Sequence, residues 1–318
     1  MAGIELYQSS RKPYAGKPEP VVIGIPTMMD SSALVFIADE KGYFAENGLD
    51  VTIHEYEAGL YAVDDMLKGK NDIAVATEFV MVGKIFDQEE IGSIASIAKY
   101  ESHYLIGRKD RGIEDVSDLK GKRIGYARGT SGEFYLNRYL ELHGMNLSEI
   151  TPVDVRPSQY AEAIENGSVD AILSWEPYAG ITRDHLGEDV VAWPAQSGQL
   201  GYWNAICKKD WAEAHPETVY RFLKAIDRAV EYTIYHPDEA KAISQRRLNA
   251  SETYVEDSWN NTQYSLSLDQ SLITAMEDEG RWMIASNLTG ERNIPDYQNY
   301  TYLTAIGAVK PESVNIIV

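Results

Sequence analysis

The feature that most restricts this chain is an alternation. Over the first two hundred residues, short β-rich runs take turns with amphipathic stretches at helical spacing. Val21 to Ile25 reads as a strand. Ser31 to Glu46 reads as a helix that Ser31 and Ser32 can cap, with Leu34, Ile37, Ala38 and Phe44 recurring on one face. The Asn47-Gly48 pair ends it. Leu49 to Tyr56 alternates as a strand, Tyr61 to Leu67 is a short helix, and Asp72 to Ala76 is a buried strand with a helix to Phe86 behind it. Strands at Ile91–Ala98 and Tyr104–Arg108 close this set. Strand, helix and strand in succession imply parallel pairing, because a parallel neighbour is reached by crossing over the sheet, with right-handed connections.

A second set of the same layout begins near residue 112. Strands at Arg123–Ala127, Thr151–Arg156, Val169–Leu173 and Val190–Trp193 alternate with helices at Ser131–Gly144, Pro157–Asn166 and Pro177–His185. Punctuation is shared between the sets, but no residue-level repeat is. Tyr202 to Lys209 is a further strand, and the remainder is mostly helical. Pro216 to Tyr235 carries a stripe of Val219, Phe222, Leu223, Ile226, Val230 and Ile234, which His236-Pro237 interrupts. Helices follow around 238–248, 252–262 and 269–288, and Thr301 to Ile306 is a closing segment. The economical fold class is α/β in two lobes. Residues 1–20 are expected as a flexible arm, 21–110 with 203–318 as lobe one, and 111–202 as lobe two. Two crossings between lobes make a hinge, and the cleft between them is where a ligand belongs.

Composition narrows the function. Of 318 residues, 44% are hydrophobic, enough for a core in each lobe, and no apolar run is long enough to cross a membrane as a helix. A net charge of −20 speaks against nucleic acid as a partner and reads as solubility. Cys207 is the one cysteine, so an internal disulfide, a cysteine-rich zinc site and a Cys-x-x-Cys centre are all excluded. It reads as a small buried hydrophobe. The six histidines show no metal spacing, and neither a Gly-x-Ser-x-Gly elbow nor a Walker loop is present. No metal, no cofactor and no catalytic set is expected, which favours binding over catalysis.

In an open α/β sheet, ligands sit outside the carboxyl ends of the strands. That rule selects four loops: Pro26–Ser32, Thr77-Glu78, Arg128–Ser131 and Ser174–Glu176. The candidate ligand-binding residues are therefore Asp30, Ser31, Ser32, Thr77, Glu78, Arg128, Thr130, Ser131, Trp175 and Glu176, with Tyr100 and Tyr202 as aromatic walls. Trp203 could serve as a further wall. Gly129-Thr130-Ser131 opens a helix whose free N–H groups suit an oxyanion, and Arg128 could pair with a sulfonate, phosphonate or carboxylate. The competing role for these hydroxyls is ordinary capping. Asp30, Glu78 and Glu176 in one cleft call for a basic group on the ligand. Their competing role is that of first-turn acids facing water.

Specific residues then match a family. Tyr43-Phe44 with Gly48-Leu-Asp-Val51, Gly69 to Ala76, Asp118-Leu-Lys-Gly-Lys-Arg-Ile-Gly125 with Gly129-Thr-Ser, Asn166-Gly-Ser-Val-Asp-Ala171 with Trp175-Glu-Pro-Tyr178, and Trp211 to Phe222 stand in order and at family spacing. Over residues 21–318 the chain resembles type 2 periplasmic solute-binding proteins of the nitrate, sulfonate and taurine branch, with their thiamine-pyrimidine relatives. The resemblance implies an extracytoplasmic monomer, periplasmic or tethered to a membrane, that hands a small solute to the permease of an ABC importer. It also places Trp175 at a cleft-lining position. The chain's opening residues fit either a cytoplasmic protein or one whose leader has been removed, and the resemblance implies the second. Pyrimidine synthases of this fold carry a cysteine-rich motif that Cys207 alone does not supply. The expected ligand is an aliphatic sulfonate, a taurine-like zwitterion or an amino-pyrimidine. A bare nitrate or sulfate leaves the acids without a role. A ligand-sensing extracellular domain and an enzyme acting on a small acid are the other readings of the same cleft.

Overall fold

A computed structural model describes residues 14–317. Among them, eleven strands form two sheets, one per lobe. The first sheet is built from β1 (Glu19–Pro26), β2 (Leu49–Tyr56), β3 (Ile73–Thr77), β4 (Ile91–Tyr100), β10 (Gly201–Lys208) and β11 (Thr262–Ser267), in the order β11-β4-β10-β3-β1-β2. The second holds β5 (His103–Arg108), β6 (Arg123–Tyr126), β7 (Thr151–Asp154), β8 (Ala171–Trp175) and β9 (Val190–Pro194), in the order β7-β6-β8-β5-β9. The pairs β1–β2, β1–β3, β6–β7 and β6–β8 are parallel, as the alternation requires. The strands on either side of each crossing, β4 with β10 and β5 with both β8 and β9, pair antiparallel.

The helices that position the cleft are α1 (Met29–Glu40), α2 (Gly59–Leu67), α3 (Glu78–Phe86) and α4 (Ser131–Leu142). Three that back the first lobe are α5 (Pro216–Tyr235), α6 (Glu252–Asn260) and α7 (Gln270–Ala285). The stripe expected on α5 is buried from Val219 to Val230, and Phe222 stacks on Phe44 at 5.9 Å between ring centres. Ile234, counted in that stripe, is 63% exposed, because Thr233 takes the buried position in the last turn and leaves Ile234 on the solvent side.

Several boundaries differ from expectation, each for a local reason. The helix expected over 31–46 breaks at Gly42, whose φ of 72° is left-handed and stops the hydrogen-bond ladder; Tyr43–Glu46 is a separate turn. The strand β11 falls in the stretch between two expected helices, where no element was expected, and it is a partly exposed edge strand with few apolar side chains to signal it. The crossing between lobes lies at Glu101-Ser102, not near residue 110: β5, expected in lobe one, is hydrogen-bonded into the second sheet. The return lies at 195–200, ahead of β10. Of the arm expected over 1–20, residues 1–13 lie outside the described residues. From Tyr14 onward the chain is docked. The Tyr14 N–H donates to the Glu46 carbonyl at 3.0 Å, its ring lies under the Arg221 guanidinium, and β1 already includes Glu19 and Pro20.

Gly59, the first residue of α2, shows how tightly the first lobe packs. A Cβ there would come within 2.7 Å of the Ala76 backbone. Gly59→Ala is expected to cost about 1–3 kcal/mol in urea unfolding, the usual range for overpacking. Gly307→Ala, in a helix with open space around it, is expected to stabilise by about 0.5 kcal/mol. Equal midpoints for the two variants would show that the β3–α2 contact is loose.

Candidate functional site

The carboxyl ends of β1, β2, β3 and β4 meet those of β6 and β8 across the two crossings. Between them is a cavity lined by Met28, Ala58, Gly59, Leu60, Thr77, Val80, Tyr100, Ser102, His103, Thr130, Ser131, Trp175 and Trp203. About 330 Å³ of unfilled space lies among these residues, a volume that includes open solvent. Four helices begin on it. The residues preceding α1, α2, α3 and α4 are Met28, Ala58, Thr77 and Thr130, and none caps its helix through a side chain. The Thr130 hydroxyl donates instead to the Ala127 carbonyl at 2.7 Å.

These four helix starts are not equivalent. Helices α1, α3 and α4 each carry an acid in the first turn, namely Asp30, Glu78 and Glu133. Glu133 Oε2 accepts the Gly129 N–H at 2.9 Å, and the Met29 N–H of α1 donates to the Tyr254 hydroxyl at 2.8 Å. Helix α2 has neither an acid nor a cap, and Ala58, Gly59 and Leu60 all face the cavity. Its N–H groups and the positive end of its dipole thus face the cavity with no acid or cap of their own to cancel them. Trp175 Nε1 and Thr77 Oγ1 also line the cavity without a hydrogen-bond partner among the described residues.

A hydrogen-bonded chain crosses the hinge beside them. Gln196, on the return crossing, accepts at Oε1 from the Ser102 N–H (2.6 Å), the His103 N–H (3.1 Å) and His103 Nδ1 (3.0 Å). Its Nε2 donates to the carbonyls of Tyr100 and Gln199. His103 Nε2 lies 3.2 Å from Ser131 Oγ, which lies 3.3 Å from the Tyr100 hydroxyl. Burial pushes the His103 imidazole down to about 4, so it is neutral at ordinary pH. Tyr100 reaches this place because its partner Gly201 has no Cβ, which would stand 2.5 Å from the ring.

Of the twelve residues expected from sequence, the structure brings Thr77, Tyr100, Thr130, Ser131 and Trp175 to the cavity wall. The other seven are not on it. Ser31 and Ser32 donate their hydroxyls to backbone carbonyls in the first turn of α1. Asp30 is buried behind the wall, where Oδ2 accepts from Ser102 Oγ at 3.3 Å, and burial pushes its carboxyl up to about 6. Glu78 accepts the Tyr202 N–H at 2.9 Å, and Tyr202 turns its ring toward Lys99. Arg128 is exposed, its backbone N–H held by Asp154 at 3.1 Å. Glu176 pairs with Arg183 at 2.6 Å and accepts the Gly180 N–H. None of the three acids is among the residues that line the cavity.

Sequence reasoning missed the loop at Ala58-Gly59-Leu60, although the rule of strand carboxyl ends selects the end of β2 as readily as the other four. It also missed Met28, Val80, Ser102 and His103. Ser102 and His103 lie just past the carboxyl end of β4, where the sequence reading placed no crossing between lobes.

Comparison with known proteins gives a consistent result. A family model described as NMT1/THI5 like matches residues 30–240. A Bacillus subtilis (strain 168) protein named for aliphatic sulfonate binding is 29% identical over 243 residues, covering 74% of this chain and 73% of its own. The Saccharomyces cerevisiae enzyme 4-amino-5-hydroxymethyl-2-methylpyrimidine phosphate synthase is 27% identical over 222 residues, 65% of this chain and 64% of its own. Among solved structures, the alkanesulfonate-binding protein of Xanthomonas axonopodis pv. citri superimposes with a TM-score of 0.76 over 91% of this chain and 99% of its own, at 18% identity. The fold is the two-lobed fold of the periplasmic binding proteins.

One buried pair makes a prediction without any ligand. Glu279 of α7 has both carboxylate oxygens buried and without a hydrogen-bond partner among the described residues, and it interacts electrostatically with Glu78. Burial first, then mutual repulsion, pushes the Glu279 carboxyl up; burial pushes Glu78 up. The folded chain thus keeps protons on this pair at pH values where the unfolded chain has released them. Stability conferred in the protonated state is lost as pH rises above the ordinary carboxylate value of 4.5. Urea midpoints are expected to fall between pH 6 and pH 8.5, and Glu279→Gln to shrink that fall by about half. An identical pH slope in the variant would show that the pair does not hold the extra proton.

Proposed function

The chain belongs to the NMT1/THI5-like family, and on that premise we propose that it is the extracytoplasmic solute-binding component of an ATP-driven importer. It acts as a monomer that closes on one small organic solute bearing an oxyanion group, an aliphatic sulfonate or a relative of it, and presents that solute to a membrane permease. The observation that carries the ligand class is the start of α2: three residues facing the cavity, no cap and no first-turn acid, in a chain of net charge −20. The N–H of Trp175 and the hydroxyl of Thr77 supply further donors at the same wall. Two short crossings joined by Gln196 supply the hinge about which closure would occur. The named sulfonate binder among its relatives supports the same reading.

A planar amino-pyrimidine is the second reading, favoured by the aromatic wall of Tyr100, Trp175 and Trp203 and by the pyrimidine synthase among the relatives. Catalysis is disfavoured by the chemistry of the serine–histidine pair at the cavity. Ser131 and His103 are in contact, but an imidazole whose affinity for a proton has been pushed down to about 4 is a weak base for activating a hydroxyl. Solute recovered chemically unchanged after long incubation is the expected outcome.

Binding is tested by calorimetry with short alkanesulfonates. At a hundredfold excess over the dissociation constant, the bound form gains about 2.7 kcal/mol of stability, which thermal unfolding reads directly. Ala58→Asp then separates the two readings. It caps α2, which contributes about 1 kcal/mol to folding, while placing a negative charge where the oxyanion would sit. Sulfonate affinity is expected to drop at least tenfold, about 1.4 kcal/mol. An unchanged sulfonate affinity in Ala58→Asp, or binding of amino-pyrimidines alone, would overturn the oxyanion reading.

A further inference from the structure

The hydrogen-bonded chain at the hinge has a definite sense, which follows from Gln196. Its Oε1 accepts from two backbone N–H groups, and its Nε2 donates to two backbone carbonyls, so the orientation of the amide is fixed at both ends. His103 Nδ1 faces that same Oε1, an atom that can only accept, and therefore carries the ring proton. In a neutral imidazole the other nitrogen, Nε2, is then a lone pair. Ser131 Oγ, 3.2 Å away, donates its one proton to it. The Tyr100 hydroxyl, 3.3 Å from Ser131 Oγ, must then be the donor of that bond. Both hydroxyl protons are spent inside the protein. Tyr100 and Ser131 line the cavity, and what they show to it is lone pairs. The opposite character holds at the start of α2, at Trp175 Nε1 and at Thr77 Oγ1, where donors are free.

We propose that the Tyr100–Ser131 corner is a specificity subsite that accepts hydrogen bonds only, so that the site selects a bifunctional solute with an amine or hydroxyl donor at one end and an oxyanion at the other. This deepens the oxyanion reading and rests on it. An acceptor-only or purely apolar tail leaves the buried lone pairs of Tyr100 and Ser131 unmet, and unmet buried polar groups are what let a binding site reject an otherwise isosteric molecule. His103 and Gln196 act here as positioning residues, because they set the sense of the corner through Ser131.

Two measurements test it. The first needs no ligand: nitrogen-15 chemical shifts of His103 in the whole protein are expected to report the Nδ1–H form at pH 7, and the Nε2–H form would overturn the proposal. The second compares 2-aminoethanesulfonate and 2-hydroxyethanesulfonate with propane-1-sulfonate, in which a methyl replaces the donor at the same length. The donor-bearing pair is expected to bind at least tenfold more tightly, and Ser131→Ala to reduce the preference to less than threefold while the circular dichroism stays unchanged. Equal affinities for all three in the parent protein, or a preference that survives Ser131→Ala intact, would overturn the subsite alone. Failure of all three to bind would overturn the oxyanion reading beneath it.

Discussion

The amide of Gln196 joins the two lobes. Each crossing is a few residues long, and the Ser102 and His103 N–H groups turn to a side chain in place of a neighbouring strand. Gln196 meets the N–H groups of Ser102 and His103 on one crossing and the carbonyl of Tyr100 at its start, while reaching Gln199 on its own. The Gly198 N–H adds a link to Glu101. A buried amide with its donors and acceptors all used fixes a single geometry, since any shift leaves a polar group unpaired away from water. The hinge is thereby pinned at one place, and the aromatic contacts that wall the cavity (Tyr100 with Trp203 at 5.2 Å, His103 with Trp175 at 5.7 Å) are built outward from it.

Charge is arranged around the cavity by subtraction. Two of the four helix starts, those of α1 and α4, carry the acids Asp30 and Glu133, while at the start of α3 burial pushes the Glu78 carboxyl up to about 8 and keeps its proton on. What faces the cavity with no acid and no cap of its own is the start of α2, with a few side-chain donors beside it. A strongly acidic chain can therefore receive an anion, because the field that matters is that of groups within a few ångströms in a low-dielectric pocket, and the distant surface charges are screened by salt.

The strand and helix order, the parallel pairing and the existence of a cleft were legible in sequence, because hydrophobic period and turn residues act locally. Five of the twelve named residues reached the cavity, all from loops or strand ends that the topology selects: Thr77, Tyr100, Thr130, Ser131 and Trp175. The acids misled. Asp30, Glu78 and Glu176 follow strand ends as a ligand-reading acid would, but a helix first turn welcomes an acid for its own reasons, and Glu176 has Arg183 seven residues on to pair with. His103 and Gln196 were illegible because their importance is a contact between residues 93 apart in sequence. The edge strand β11 was missed because a half-exposed strand carries little apolar pattern.

The way the chain passes between lobes has a consequence for descent. Tyr100 and Gln196 touch through a 3.2 Å hydrogen bond, so the stretch that makes the second lobe leaves the first and returns to nearly the same point. Topologically the second lobe is one long excursion with adjoining ends. Such a segment can be lengthened, exchanged or transplanted by recombination while the first lobe keeps its own sheet intact, and the second lobe's share of the cavity wall would change in a single event.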